Sequence, residues 1–152
     1  MDDLVKIAII DSFVWLVWTF FIGFICSKLP KQFLDRNIVI PTSKKTASRI
    51  ERYTKIRKWK DVVPEAGAFF KNGVSKKKLT GMSKEELVNF KRETKRAELA
   101  HYLFAAILPV FFLFNPFLMS IAMGVYALFA NLPFILIQRF NRCRIDAILA
   151  KR

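Results

Sequence analysis

The chain has 152 residues, is 53% hydrophobic and carries a formal net charge of +14. A soluble globular domain seldom combines these properties, and here the apolar and basic residues are separated along the chain. The composition therefore excludes an ordinary soluble domain and favours a single membrane domain over residues 1–152.

Three apolar stretches predict three transmembrane helices, at about residues 5–26, 99–114 and 117–137. About 20 apolar residues span a bilayer as a helix. The first and third stretches are this long, whereas the second must extend backwards into polar residues. Asn115 and Pro116 predict a tight turn between the second and third helices. The sequence thus predicts an all-α integral membrane protein.

The cations are concentrated in two segments. Residues 27–98 hold 20 Lys and Arg against 8 Asp and Glu, and residues 138–152 hold 5 against 1. Because Lys and Arg accumulate on the cytoplasmic side of a membrane, we expect the N-terminus outside, with a cytoplasmic loop at 27–98 and a cytoplasmic tail at 138–152. The protein is then a multi-pass protein of the cell membrane.

Part of the basic loop is predicted to be helical. In SRIERYTKIRKWKDVV, Ile50, Tyr53 and Ile56 recur at three-residue spacing and predict an apolar stripe opposite a basic face. Such a helix is suited to lie on an anionic membrane surface. Since anionic lipid accounts for the cations beside the membrane spans, no nucleic-acid partner is expected.

A second loop helix is predicted to continue into the membrane over residues 84–108. Ser83 and Glu86 match the capping box that opens a helix, and Pro109 is the first residue that would break it. Glu98 and His101 lie three residues apart on this helix and share a face.

Glu98 and His101 predict a carboxylate–imidazole pair at the inner membrane boundary. His101, the only histidine, would act as a general base that Glu98 orients. The alternative is an interfacial histidine whose neighbouring carboxylate pairs with Arg or Lys. A metal site is not expected, because the Glu-x-x-His pattern occurs only once.

Two further polar groups are candidates for binding. Asn131 and Gln138 lie on one face of the third helix, which Arg142 continues, and polar side chains inside a span are functional candidates. Equally, they could hydrogen-bond between helices. The cations of RKWK, residues 57–60, could hold a phosphate or form a membrane-surface patch.

Three blocks of the sequence resemble a known family. IRKWKDVVPEAG, ETKRAELAHY and ANLPFILIQRFNRCRI follow an N-terminal apolar segment, and over about residues 10–148 their order and spacing are similar to the glycosyl-4,4'-diaponeurosporenoate acyltransferase family. These are small bacterial membrane proteins of the last step of staphyloxanthin-type carotenoid synthesis. The chain departs from the expected family pattern at three positions. It has Tyr102 where the family is expected to have Trp, Phe140 where it is expected to have Tyr, and Cys143 where it is expected to have Pro.

The resemblance implies that a fatty acyl group is transferred to a sugar hydroxyl of a membrane glycolipid, carotenoid-like or other. The donor would be a cytoplasmic thioester, acyl-CoA or an acyl carrier protein, with no bound cofactor. His101 and Glu98 would be catalytic. The residues expected to bind substrate are Arg57, Lys58, Trp59, Lys60, Arg96, Asn131, Gln138, Arg139, Asn141 and Arg142.

Two other functions remain open at this point. The first is a non-catalytic membrane subunit or lipid-binding adaptor, in which the polar groups hold helices together. The second is another lipid-modifying transferase, such as a methyltransferase. Three short spans are few to enclose a site, so a homodimer is also considered.

Overall fold

The computed structural model describes residues 3–63, 79 and 81–152. All regular secondary structure in these residues is helical, as predicted, whereas loop residues 64–78 lie outside the described part. The helices are α1 (Asp3–Ser27), α2 (Lys31–Asp35), α3 (Lys44–Thr54), α4 (Lys84–Ala105), α5 (Leu108–Phe111) and α6 (Phe117–Leu149), with a 3-10 turn at Ile56–Lys58.

Two of the described helices are long and apolar enough to cross a membrane. They are Val5–Ser27, within α1, and Phe117–Leu149, which is α6. They contain the first and third predicted spans. The prediction of a third continuous spanning helix at 99–114 is wrong, because this stretch consists of the end of α4, a turn and the four-residue α5.

Pro109 accounts for the break in the second apolar stretch. Proline has no amide hydrogen for the carbonyl four residues earlier, and its ring clashes with that carbonyl. The residue four positions before Pro109 is Ala105, where α4 ends, three residues before the predicted end at 108. Pro109 itself lies in the first turn of α5, where its missing amide hydrogen costs nothing.

The short α5 packs closely on α6 at a glycine. A Cβ atom placed on Gly124 would lie 2.6 Å from Cδ1 of Leu108, so the missing side chain leaves room for Leu108 in its present conformation. Ile107 and Phe111 on either side of Leu108 are fully buried in a cluster with Ala127. The broken segment is therefore a packed part of the bundle.

Polar contacts join α1 to the rest of the bundle at two levels. Asp11 is only 5% exposed and accepts a hydrogen bond of 2.6 Å from the amide of Asn115, in the turn before α6. Nearer the other end of α1, Trp18 Nε1 donates to the carbonyl of Leu103 at 2.9 Å. The carboxylate of Asp11 is thus directed into the bundle, which avoids the cost of exposing a charge to lipid.

The basic α3 packs on α6 through its apolar stripe. Ile50 and Ile56 are buried against Ile137 and Phe140 of α6. The helix ends earlier than its spacing predicted, with Lys55 in the left-handed conformation at φ 49°. Protein therefore covers two residues of the predicted stripe, whereas the third, Tyr53, is 78% exposed. The placement of this helix on a membrane surface stays a prediction.

Candidate active site

His101 is oriented by a hydrogen bond to an amide on α6. Its Nδ1 lies 2.9 Å from Oδ1 of Asn131, whose Nδ2 donates to the carbonyl of Ala127 at 2.8 Å. Because the second bond directs the amide oxygen at the imidazole, Nδ1 must carry the hydrogen of a neutral ring. The lone pair is then on Nε2, which is the nitrogen available to accept a proton.

Two aromatic side chains enclose the half-buried imidazole. The ring of Phe134 stacks on His101 with centroids 4.7 Å apart and planes 8° apart. The ring of Phe104 meets it edge-on at 5.3 Å. These contacts and the bond to Asn131 restrict rotation of the imidazole, which is what a group that moves protons requires.

Glu98 is fully buried and has two guanidinium partners on α6. Its Oε2 lies 2.5 Å from Nη1 of Arg142, and its Oε1 lies 3.6 Å from Nε of Arg139. The hydroxyl of Tyr102, one turn along α4, also donates to Oε1 at 3.1 Å. The negative charge of Glu98 is therefore balanced by arginines of α6, about one helical turn along α4 from His101.

The predicted pairing of Glu98 with His101 is wrong. The carboxylate pairs with arginines, and the imidazole pairs with Asn131. A carboxylate without solvent exposure is stabilised far more by a formal positive charge than by a neutral ring, so Arg142 outcompetes His101. The alternative pairing with Arg, left open from the sequence, describes this carboxylate correctly.

Arg142 also binds the segment that connects α2 to α3. We call residues 36–43 the connector. Nη2 of Arg142 donates to the carbonyl of Ile40 at 3.2 Å, and Asp146, one turn further along α6, accepts from the hydroxyl of Thr42 at 3.1 Å. The connector is thus attached to α6 next to the buried Glu98.

The RKWK motif lies beside α3, where its contacts do not include His101 or Asn131. Arg57 and Lys58 are exposed, with the guanidinium of Arg57 5.9 Å from the ring centre of Phe140. Trp59 Nε1 donates to the carbonyl of Thr54 at 2.8 Å. Lys60 is 7% exposed and pairs with the adjacent Asp61.

The remaining predicted residues have different surroundings. Arg96 is held by Glu93, at 2.5 Å, and by the carbonyl of Leu29 at 3.3 Å. Gln138 is half-buried on α6. Asn141 is 1% exposed, and neither polar atom of its side chain has a hydrogen-bond partner among the residues that the structure describes.

Sequence reasoning missed Tyr102 and Phe134 as members of the site. Tyr102 lies four residues after Glu98 on one helix, so the spacing that predicted a face for Glu98 could also have found it. Phe134 had no such signal, because its contact with His101 joins two helices. Among the described residues, no group of three or more His, Cys, Asp and Glu comes together as a metal site.

The fold and site define a small helical protein with two helices of membrane-spanning length and an amide-oriented histidine between α4 and α6. The model of the glycosyl-4,4'-diaponeurosporenoate acyltransferase family matches residues 30–151. Proteins of that name from Staphylococcus aureus strains USA300 and MRSA252 are each 30% identical over 154 aligned positions, which cover 98% of this chain and 92% of the relative.

The chain therefore belongs to the glycosyl-4,4'-diaponeurosporenoate acyltransferase family, which confirms the resemblance seen in its motifs. No solved structure matches it.

Proposed function

We propose that the protein is a membrane acyltransferase that esterifies a sugar hydroxyl of a membrane glycolipid with a fatty acyl group. The printed name of the relatives, glycosyl-4,4'-diaponeurosporenoate acyltransferase, supports this class of reaction. The observation that carries the proposal is the hydrogen bond between His101 and Asn131, which leaves Nε2 free to act as a base.

In the proposed reaction, Nε2 of His101 takes the proton of the sugar hydroxyl while its oxygen attacks the carbonyl carbon of a thioester. A C–O bond forms and the carbonyl oxygen becomes negative. When this intermediate collapses, the C–S bond breaks, and the leaving thiolate takes the proton back from the imidazolium. The products are an ester and a free thiol, so no other reactant is consumed.

The oxyanion needs a hydrogen-bond donor. Asn131 and Gln138 are the polar side chains predicted on this face of α6, but the Nδ2 of Asn131 donates to the carbonyl of Ala127. Gln138, on the same helix, is therefore the proposed donor. Asn131 is instead a positioning residue for His101.

The proposed topology has the N-terminus outside and the connector, α3 and the tail in the cytoplasm. Two observations support it. Asp11 and the turn residue Asn115 meet at the end of the bundle that has few cations. At the opposite end, exposed cations such as Arg57 and Lys58 are available to anionic headgroups. A cytoplasmic acyl-CoA or acyl carrier protein would then approach the site from the cationic end.

The test is lipid mass spectrometry of membranes from cells that express the wild type, His101→Gln, or Tyr53→Phe as a matched control on an exposed side chain. We expect one glycolipid to gain a fatty-acyl mass with the wild type and the control, but not with His101→Gln. Expression and thermal stability should be equal in all three.

Two results would overturn the proposal. Identical lipid profiles for cells with and without the protein would favour a non-catalytic subunit. A gain of a smaller group, such as a methyl mass, would indicate another lipid-modifying transferase.

A further inference from the structure

A cleft of ≈ 160 Å³ lies between the connector and the helices α4 and α6. Its walls are connector residues 37 and 39–42 on one side, and Lys91, Lys95, Arg142 and Asp146 on the other. Three of these four side chains are cationic. The cleft is therefore a candidate for an anionic ligand.

The charges around the cleft do not cancel. Nζ of Lys91 lies 2.6 Å from Asp146, and Arg142 is paired with Glu98. Lys95 is 8% exposed and has carbonyl partners only, donating to Leu34 and Arg36 at 2.8 Å each. Within the described residues, one buried positive charge thus remains without an ion-pair partner.

The surroundings of Lys95 are unfavourable to its charge. Burial lowers the pKa of its ammonium, and the neighbouring cations Lys91 and Arg142 lower the pKa further, against a smaller opposite effect of Asp35 and Asp146. A buried cation in this situation is stabilised when an anion binds nearby. Lys95 would attract the anion through its positive charge and not through a hydrogen bond, because its ammonium protons are already donated to carbonyls.

The connector supplies free donors at the same place. The backbone amides of residues 37, 39, 40 and 42 make no hydrogen bond within the part of the chain that the structure describes. Backbone amides that lack an internal partner and lie beside cations can donate to the oxygens of a phosphate. Lys91, whose side chain is 34% exposed, can exchange its carboxylate partner for a phosphate oxygen.

We infer that the cleft between the connector, Lys91, Lys95 and Arg142 binds a phosphate group of the acyl donor. This inference rests on the proposed acyl transfer. Lys95 is six residues from His101, about 9 Å along α4, so a donor anchored by its phosphate could extend a flexible thioester arm to the imidazole. The phosphate site is then at the connector, and not at RKWK as the sequence suggested.

The test measures binding without acyl transfer, on the full chain in neutral detergent by calorimetric titration. The ligands are phosphopantetheine, coenzyme A, pantetheine without phosphate and inorganic phosphate. We expect phosphopantetheine and coenzyme A to bind at least about tenfold more tightly than pantetheine. This difference should disappear in Lys91→Gln, return in Lys91→Arg, and persist in Lys84→Gln, which changes an exposed cation on the same helix.

Several results would overturn the inference. They are equal binding of pantetheine and phosphopantetheine, an unchanged preference in Lys91→Gln, and binding of inorganic phosphate with no binding of phosphopantetheine or coenzyme A. A further experiment compares binding to the protein in nanodiscs with and without phosphatidylglycerol. If the anionic lipid binds through Lys91 while coenzyme A does not, the phosphate comes from a lipid and the donor assignment is wrong. Because the readout is binding, a protein that transfers no acyl group yet shows the Lys91-dependent preference would contradict only the proposed function.

Discussion

Glu98 on α4 and Arg142 on α6 form a buried ion pair, with Oε2 and Nη1 2.5 Å apart and the two side chains 0% and 2% exposed. The pair joins the two helices that carry His101 and Asn131. It also holds the connector through the carbonyl of Ile40. Its contribution to the site is therefore to fix the spacing between α4 and α6.

Breaking this ion pair is expected to destabilise the fold strongly. Glu98→Leu leaves the guanidinium of Arg142 buried without its carboxylate, and we expect a loss of about 3–5 kcal/mol. Thermal or denaturant unfolding in detergent measures it. The double variant Glu98→Leu with Arg142→Met should recover most of the loss, because no charge then remains unpaired. Equal stability of the single variant and the wild type would contradict this role.

Removal of the positioning amide is expected to lower turnover more than substrate affinity. Asn131→Leu leaves the imidazole free to rotate and to adopt the other tautomer, so we expect kcat to fall by about a hundredfold while KM changes little. Steady-state acyl transfer in nanodiscs measures both constants. A proportional rise in KM at constant kcat would instead indicate that Asn131 contacts the substrate.

A methyl group on Gly124 is expected to disturb the contact between α5 and α6. In Gly124→Ala the new Cβ would lie 2.6 Å from Cδ1 of Leu108, so this leucine side chain must take another rotamer or α5 must shift, at a cost of about 1–3 kcal/mol. Gly23→Ala is the matched control, because a Cβ there meets nothing within 4 Å. Adding Leu108→Ala should relieve the clash. Thermal unfolding of the four proteins distinguishes these outcomes.

The ion pair of Asp35 with Arg92 predicts an acid-dependent stability. The hydrogen bond from Arg92 and its positive charge hold the pKa of Asp35 below the usual 3.8. A carboxyl whose pKa is depressed by folding stabilises the protein above its unfolded pKa, and this stability is lost as pH falls through the folded pKa.

The unfolding temperatures of the wild type and Arg92→Gln should therefore differ at pH 6 and converge in strong acid. Lys84→Gln provides the control for a change of net charge alone. A difference between wild type and Arg92→Gln that is constant with pH would exclude the ion pair as its source.

Several features of this protein were determined by residues close together in the sequence. The two long apolar stretches gave helices of spanning length, and Ser83 with Glu86 formed the predicted capping box at the start of α4. Pro109 also acts within one helical turn, because it ends α4 at Ala105, three residues earlier than predicted. Each of these depends on contacts within about one helical turn, which spacing along the chain describes directly.

The partners of the charged and polar side chains were decided only by the tertiary structure. Glu98 shares a helical face with His101, yet its carboxylate pairs with Arg142, 44 residues away. Ile50 and Ile56 of the predicted apolar stripe are covered by Ile137 and Phe140 of α6, a contact that their spacing could not reveal. Helical spacing tells which residues share a face, but which group covers that face depends on how α4 and α6 pack. A buried charge pairs with the opposite charge that this packing places next to it.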